Sequence, residues 1–318
     1  MNPGYDKALY LLPFDHRNSY VKGLFDFKLP LSAQQVDQVR DSKQLIYESF
    51  MQALTGGVPS GSAGILVDEE FGTDILHDAH RRGYVTALST ERSGSDEFEF
   101  EYGIEFASHI EAFDPTFVKV LVRYNPEGDQ AMNLRQADRL KILSDHCRLT
   151  ERRFMFELLV PATGEQLARE AGNEVAYDRD IRPALVCTAI RALQDAGVEP
   201  DVWKIEGLTR RADCERIAAA ARHDGRSAVG CIVLGRGADN TKVREWLATA
   251  GSVDGFIGFA VGRTTFWDAV AGYRKKAMTR AQAVAQIASR LREWVDIFET
   301  ARQSRVAGTG HVTMTTTP

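Results

Sequence analysis

Apolar and polar positions alternate along the chain in two different rhythms. Short runs that are almost wholly apolar recur at 8–14 (ALYLLPF), 63–68 (AGILVD), 84–90 (YVTALST), 116–124 (TFVKVLVRY), 153–160 (RFMFELLV), 201–206 (DVWKIE), 230–235 (GCIVLG) and 255–261 (GFIGFAV). Runs of this length and composition predict parallel strands covered on both faces. Between them the period becomes helical. Residues 32–54 open on Ser32 as a cap, and Val36, Val39 and Ile46 fall at helical spacing. Helices are also predicted within 133–148, 180–197, 211–225 and 239–251, the last three each closed by a glycine, and over about 279–303.

Eight strand–helix repeats in 318 residues predict an α/β fold, a single (β/α)8 TIM barrel over residues 1–304. An open doubly wound sheet ranks lower, because no G-x-G-x-x-G follows the first strand. No Pro/Ser/Gly-rich linker divides the chain. The tail 305–318, RVAGTGHVTMTTTP, has no periodicity and reads as disordered. The longest connection, 161–180, reads either as a lid or as an extra short helix.

Charge and cysteine usage narrow the function classes. The net charge is −5 and no Lys/Arg block stands out, which argues against nucleic acid or a membrane surface as partner. The longest apolar run, GFIGFAVG, is too short to span a bilayer, and the N-terminus lacks a basic-then-apolar leader pattern. Cys147, Cys187, Cys214 and Cys231 have no ligand spacing and read as reduced core residues of a cytoplasmic protein. No histidine cluster calls for zinc, so neither metal nor cofactor is expected. A homo-oligomer is compatible with the sequence.

In a barrel, chemistry sits where strands end and βα loops begin. That rim offers Asp15, His16 and Arg17 after the first strand, Asp68, Glu69 and Glu70 after the second, and Glu91 and Arg92 after the third. The fourth strand carries Lys119 and Arg123, the fifth Glu157, and the sixth Lys204 with Glu206 two residues on. An unpaired charge inside an apolar strand costs several kcal/mol, so these residues must meet one another or a ligand. The seventh strand ends in Gly235, Arg236 and Gly237, the eighth in Gly262 and Arg263. Glycines that let backbone approach a ligand, beside an arginine, suit a phosphate, and barrels often bind phosphate at these two loops. The acidic–aromatic stretch 96–102, DEFEFEY, reads as a loop with a solvated acidic face.

A lysine in an apolar pocket, or beside another cation, loses affinity for its proton, and the neutral amine can add to a ketone. The resulting iminium draws electrons from a neighbouring carbon–carbon bond. Lys204 has apolar neighbours and the second lysine, Lys119, two strands away. Glu157 stands on the strand between them, where it can move the proton of the hydroxyl beside the breaking bond. With a phosphate site at strands seven and eight, the set describes a class I aldolase acting on a small sugar phosphate.

The segments LPFDHR, GILVDEEFG, AFDPTFVKVLVRYNPEGD, FMFELLVPAT, GVEPDVWKIEGL, CIVLGRG and GFIGFAVGRTTFWD resemble the aldolase-type domain fused behind 5-dehydro-2-deoxygluconokinase in bacterial inositol catabolism. The resemblance covers roughly residues 8–299. More distantly the chain is similar to tagatose-bisphosphate and sulfofructose-phosphate class I aldolases. The resemblance implies Lys204 as the Schiff-base lysine, Lys119 and Glu157 beside it, and Gly262 and Arg263 at the phosphate. It implies cleavage of 2-deoxy-5-keto-gluconate 6-phosphate to dihydroxyacetone phosphate and malonate semialdehyde. Arg17 and Arg123 are equal candidates for the substrate carboxylate. Rival readings are an aldolase or transaldolase for another ketose phosphate, a metal-dependent lyase with Asp15, Asp68, Glu91 and Glu157 as ligands, and a non-catalytic sugar-phosphate-binding partner of a kinase.

Overall fold

The computed structural model describes residues 3–309. All eight expected strands form, each within one residue of its predicted bounds: β1 (Leu9–Pro13), β2 (Ala63–Val67), β3 (Val85–Ser89), β4 (Phe117–Arg123), β5 (Arg153–Leu159), β6 (Val202–Glu206), β7 (Gly230–Leu234) and β8 (Phe256–Ala260). They pair in parallel in sequence order, and β8 pairs back onto β1. The sheet is therefore a closed barrel with no free edge. A helix follows each strand, from Ala33–Thr55 after β1 to Arg263–Arg274 after β8. This is a single (β/α)8 barrel.

Local chemistry sets several of these elements. Ser32 caps the helix Ala33–Thr55 with a reciprocal pair of bonds, its hydroxyl accepting from the Gln35 amide and its own amide donating to the Gln35 side chain. Gly197 adopts φ 79° in the turn beyond the helix Arg182–Asp195, a backbone region that glycine enters without steric cost. A last helix, Arg280–Thr309, packs on the helices Ala33–Thr55, Asn240–Gly251 and Arg263–Arg274. Its buried Trp294 donates to the Thr265 hydroxyl at 3.0 Å. This helix takes in residues 305–309 of the expected tail; residues 310–318 lie outside the described residues.

The connection 161–180 holds two short helices, Gly164–Arg169 and Glu174–Ala176, and runs directly into the next crossover helix. Asn125 donates to the Gln166 side chain at 2.7 Å, and the Tyr177 hydroxyl donates to the Val160 carbonyl at 2.8 Å. Of the two expectations for this segment, the extra helix is the one these bonds describe. Among the described residues, no helix is long and apolar enough to cross a membrane.

Alternation along each strand divides the core in two. Tyr10, Ile65, Phe154, Phe156 and Trp203 face outward into the helix layer. Leu9, Leu11, Leu66, Phe117, Met155, Val202 and Ile232 face inward and form an apolar floor near the N-terminal ends of the strands. Closure between β8 and β1 is tight: a Cβ on Gly258 would lie 1.7 Å from the Leu9 carbonyl oxygen. Backbone cannot yield as a side chain can. Gly258→Ala is therefore expected to lower stability by at least the roughly 1–3 kcal/mol typical of an overpacked core. Denaturant unfolding of the variant checks this, and a wild-type midpoint would contradict it.

Candidate active site

The inward positions one step above the apolar floor are charged. Side chains on a strand alternate, so Lys119 follows Phe117, Glu157 follows Met155 and Lys204 follows Val202 on the inner face. Glu157 and Lys204 are register partners across β5 and β6. Lys204 Nζ donates to Glu157 Oε2 at 2.7 Å. The same oxygen lies 2.9 Å from Lys119 Nζ. Lys119 also donates to Asp15 Oδ2 and to Glu91 Oε1, each at 2.8 Å. Asp15 and Glu91 come from the loops after β1 and β3 and Glu157 from β5, so two loops and a neighbouring strand converge on the Lys119 ammonium. All three inner-strand groups, Lys119, Glu157 and Lys204, are buried. Removing one member of such a set strands the others, at a cost of about 3–5 kcal/mol.

The electrostatics differentiate these groups. Burial opposes the charge on Lys119, but Asp15, Glu157 and Glu91 outweigh it and raise its pKa well above the ordinary lysine value. Lys119 is thus a fixed cation. Burial also opposes ionisation of Asp15, yet Lys119, His16 and Lys204 hold its carboxyl well below the usual range. Glu157 is lowered too, with burial overcome by Lys119 and Lys204. Glu91 goes the other way: burial, and the Asp15 charge sharing its ammonium, outweigh the pull of Lys119 and raise it. Its Oε2 is buried without a hydrogen bond among the described residues. Two carboxylates on one cation thus split into a firm anion and a readier proton carrier. Among the described residues Lys204 makes a single polar contact, to Glu157, and both line an open cavity of about 230 Å³.

That cavity also takes in Asp15, His16, Arg17, Glu91, Arg123 and the loop 92–99. The loop folds back through an antiparallel bridge between Glu91 and Phe100. The acids of 96–102 are therefore not simply a solvated face: Glu97 pairs with Arg135 at 2.7 Å and with Arg139 at 2.5 Å, and Glu101 pairs with Arg17 at 2.6 Å. Arg17 donates further to the Glu91 carbonyl. Arg123 donates to the Ser95 carbonyl at 3.1 Å.

Asp68 does not join the cluster, contrary to its expected place in substrate binding. Its Oδ1 accepts from the Phe71 amide at 2.9 Å and caps the helix Glu69–Arg81, while Oδ2 pairs with Lys43. Lys43 is fully buried and was missed in the sequence, although it lies four residues beyond Val39 and three before Ile46 on the apolar face of its helix.

Strands β7 and β8 form a separate group that does not line the cavity. Arg236, expected at a phosphate, is held by Asp178 at 2.7 Å and by Glu206 at 3.1 Å. Its own φ is 48°, and Gly237 beyond it has φ 72°. Arg263 lies across this turn and donates to the Arg236 carbonyl at 3.0 Å; a Cβ on Gly237 would come within 2.8 Å of its guanidinium. Gly262 lets β8 end close to β1, where a Cβ would sit 2.3 Å from the Pro13 carbonyl, and a Cβ on Gly235 would touch Val261 at 3.0 Å. Arg263 has no carboxylate partner among the described residues, and its charge reaches His16 in the cavity.

The three carboxylates of the proposed metal set that do converge, Asp15, Glu91 and Glu157, meet on the Lys119 ammonium, so a lysine occupies the position of a cation. A model of the family described as an uncharacterized protein conserved in bacteria, DUF2090, matches residues 3–302. The chain belongs to this family. No curated protein matches it in sequence. Solved structures of similar shape include a Corynebacterium glutamicum protein, at 17% identity and TM-score 0.55 over 92% of this chain and 88% of that one. The fructose-bisphosphate aldolase of Slackia heliotrinireducens aligns at 12% identity and TM-score 0.54 over 89% of this chain and 86% of that one. An archaeal fructose 1,6-bisphosphate aldolase aligns at 14% identity and TM-score 0.53 over 89% and 94% respectively. At these identities the likeness is one of fold alone, the (β/α)8 barrel.

His16 supplies a pH test of the site. It packs edge to face on Phe266, and burial, with Arg263 nearby, outweighs Asp15 and pushes it down to about 4 from the ordinary 6.5. Between those values the unfolded chain binds a proton that the folded protein refuses, so stability falls as pH falls across the window. His16→Asn should flatten that part of the pH dependence, read from urea midpoints over the same range. An unchanged slope would assign the effect to another group.

Proposed function

We propose that this protein is a class I aldolase, a carbon–carbon lyase that forms a Schiff base through Lys204. The observation that carries the reading is the Glu157 oxygen shared by two lysines inside the barrel, 2.7 Å from Lys204 and 2.9 Å from Lys119, with Lys204 open to a cavity. The aldolase-like fold supports it, as do similar structures that include a Schiff-base-forming fructose-1,6-bisphosphate aldolase.

The steps follow from reach and charge. Lys204 sheds a proton to the acceptor beside it, Glu157, and its amine adds to the substrate ketone. Glu157 returns that proton to the carbinolamine hydroxyl, which leaves as water, giving the iminium and restoring the Glu157 carboxylate. A base then takes the proton of the hydroxyl two carbons from the iminium carbon. The carbon–carbon bond between breaks, its electron pair moves to the iminium nitrogen, and an aldehyde departs. The enamine that remains takes a proton on carbon, and water releases the ketone product. Glu157 is the base in reach, Lys119 stabilises anionic oxygens as a permanent cation, and Glu91 is placed to return a proton. For 2-deoxy-5-keto-gluconate 6-phosphate, the substrate suggested by the sequence resemblance, the bond is C3–C4. The products are malonate semialdehyde and dihydroxyacetone phosphate. Arg263, without a carboxylate partner among the described residues, is the cation for the phosphate.

Treatment with dihydroxyacetone phosphate and sodium borohydride should attach the three-carbon unit to the peptide carrying Lys204. Lys204→Met should abolish trapping and turnover together; label on Lys119, or full turnover without trapping, would overturn the mechanism.

Arg263→Ala should raise KM for a phosphorylated ketose about 10- to 100-fold, the loss of a hydrogen bond to a charged group, and leave an unphosphorylated analogue far less affected. Equal losses for both substrates in steady-state assays would make Arg263 a structural residue.

A further inference from the structure

We propose that Arg123 sets substrate choice by binding an anionic group on the part of the substrate that leaves as the aldehyde, so that the enzyme acts on ketose phosphates bearing a second anion. This rests on the aldolase reading above and adds to it the residue and the chemical class.

The cavity holds three arginines, and among the described residues only one is uncommitted to an acid. Arg17 is buried against Glu101 at 2.6 Å, and Arg92 pairs with Glu99. Arg123 donates to a single backbone carbonyl, that of Ser95, and has no carboxylate partner among the described residues. A guanidinium has five N–H donors in a planar fork that fits two oxygens of one anion. Most of Arg123's remaining donors are therefore unassigned, half-buried, in the cavity whose floor is Lys204 and Glu157. Its backbone is fixed, since Gln136 donates to the Arg123 carbonyl at 3.0 Å.

Its place in the barrel fits one end of the substrate. The strands close in sequence order, so β4, which carries Arg123, stands opposite β8, after which Arg263 begins its helix. Lys204 on β6 lies between them. With the phosphate at Arg263 and the ketone at Lys204, the carbons beyond the cleaved bond extend toward β4. Arg123 is four residues past Lys119 on the same face, about 13 Å further along the strand toward the barrel mouth at roughly 3.3 Å per residue. The lining acids do not compete strongly for it. Asp15, Glu91 and Glu157 are held by Lys119, Glu97 by Arg135 and Arg139, and Glu99 by Arg92. Asp96, exposed, is the lining acid without a cation of its own among the described residues.

Carboxylate, sulfonate and phosphate share this chemistry, and the reverse reaction distinguishes them. Enamine carbon from dihydroxyacetone phosphate attacks an aldehyde carbon, the aldehyde oxygen takes a proton, and water frees the ketose from Lys204. Malonate semialdehyde, sulfolactaldehyde, glyceraldehyde 3-phosphate and neutral propanal serve as acceptors. The wild-type enzyme should prefer at least one charged acceptor to propanal in kcat/KM. Arg123→Gln should reduce kcat/KM for that acceptor about 10- to 100-fold, mainly through KM, and for propanal much less. Arg123→Lys should recover part of the loss, because the charge returns without the fork. A wild-type enzyme indifferent to acceptor charge, or equal losses in Arg123→Gln for charged and neutral acceptors, overturns the proposal. Borohydride trapping on wild-type Lys204 reads the aldolase mechanism separately. Failure to trap removes both readings, whereas trapping without charge preference removes this one alone.

Discussion

The arrangement of this barrel turns on one carboxylate oxygen, Glu157 Oε2, shared by two buried ammonium groups. Neither lysine can remain charged in the apolar interior without a partner, and the carboxylate cannot remain ionised without a cation. Because Lys119, Glu157 and Lys204 stand on three consecutive strands, the pairing also ties β4, β5 and β6 in register. A shift of one residue would turn each of these side chains into the helix layer and an apolar one into the site.

Around that oxygen the charges form a graded set. Lys119 takes three carboxylates and is locked as a cation. Asp15 and Glu91 share it with opposite outcomes: around Asp15 the charges of Lys119, His16 and Lys204 overcome burial and drive the carboxyl down, whereas at Glu91 burial and the Asp15 charge prevail and drive it up. The separation arises from two acids sharing one cation, and it leaves one that holds its charge beside one that takes a proton more readily. The apolar floor beneath, with Phe117, Met155 and Val202, keeps water from entering below the lysines.

The rim shows the same principle used for structure. Asp68 with Lys43 fastens the helix after β2 to the helix after β1. Arg236, held by Asp178 and Glu206, fastens the turn after β7 to the segment after β5. Arg123 and Arg263 differ from these in lacking a carboxylate among the described residues, and that difference separates candidate binders from braces more clearly than residue type does.

Much of this was legible in the chain itself. Continuous apolar runs, helical spacing and terminal glycines determined eight strands and their crossovers, because burial on both faces and helical periodicity each leave a local mark. Lysines and a glutamate inside those runs marked the inner site for the same reason: charge in an apolar strand demands a partner. The sequence did not determine which partner. Asp68 and Asp15 both follow a strand, yet one caps a helix beside Lys43 and the other reaches Lys119 more than a hundred residues away. Arg17 and Arg123 were equal candidates until Glu101 was brought onto the first and not the second. The acids of 96–102 looked solvated until the loop folded back over the rim. Pairing depends on distances across the barrel, and those exist only once β8 has closed onto β1.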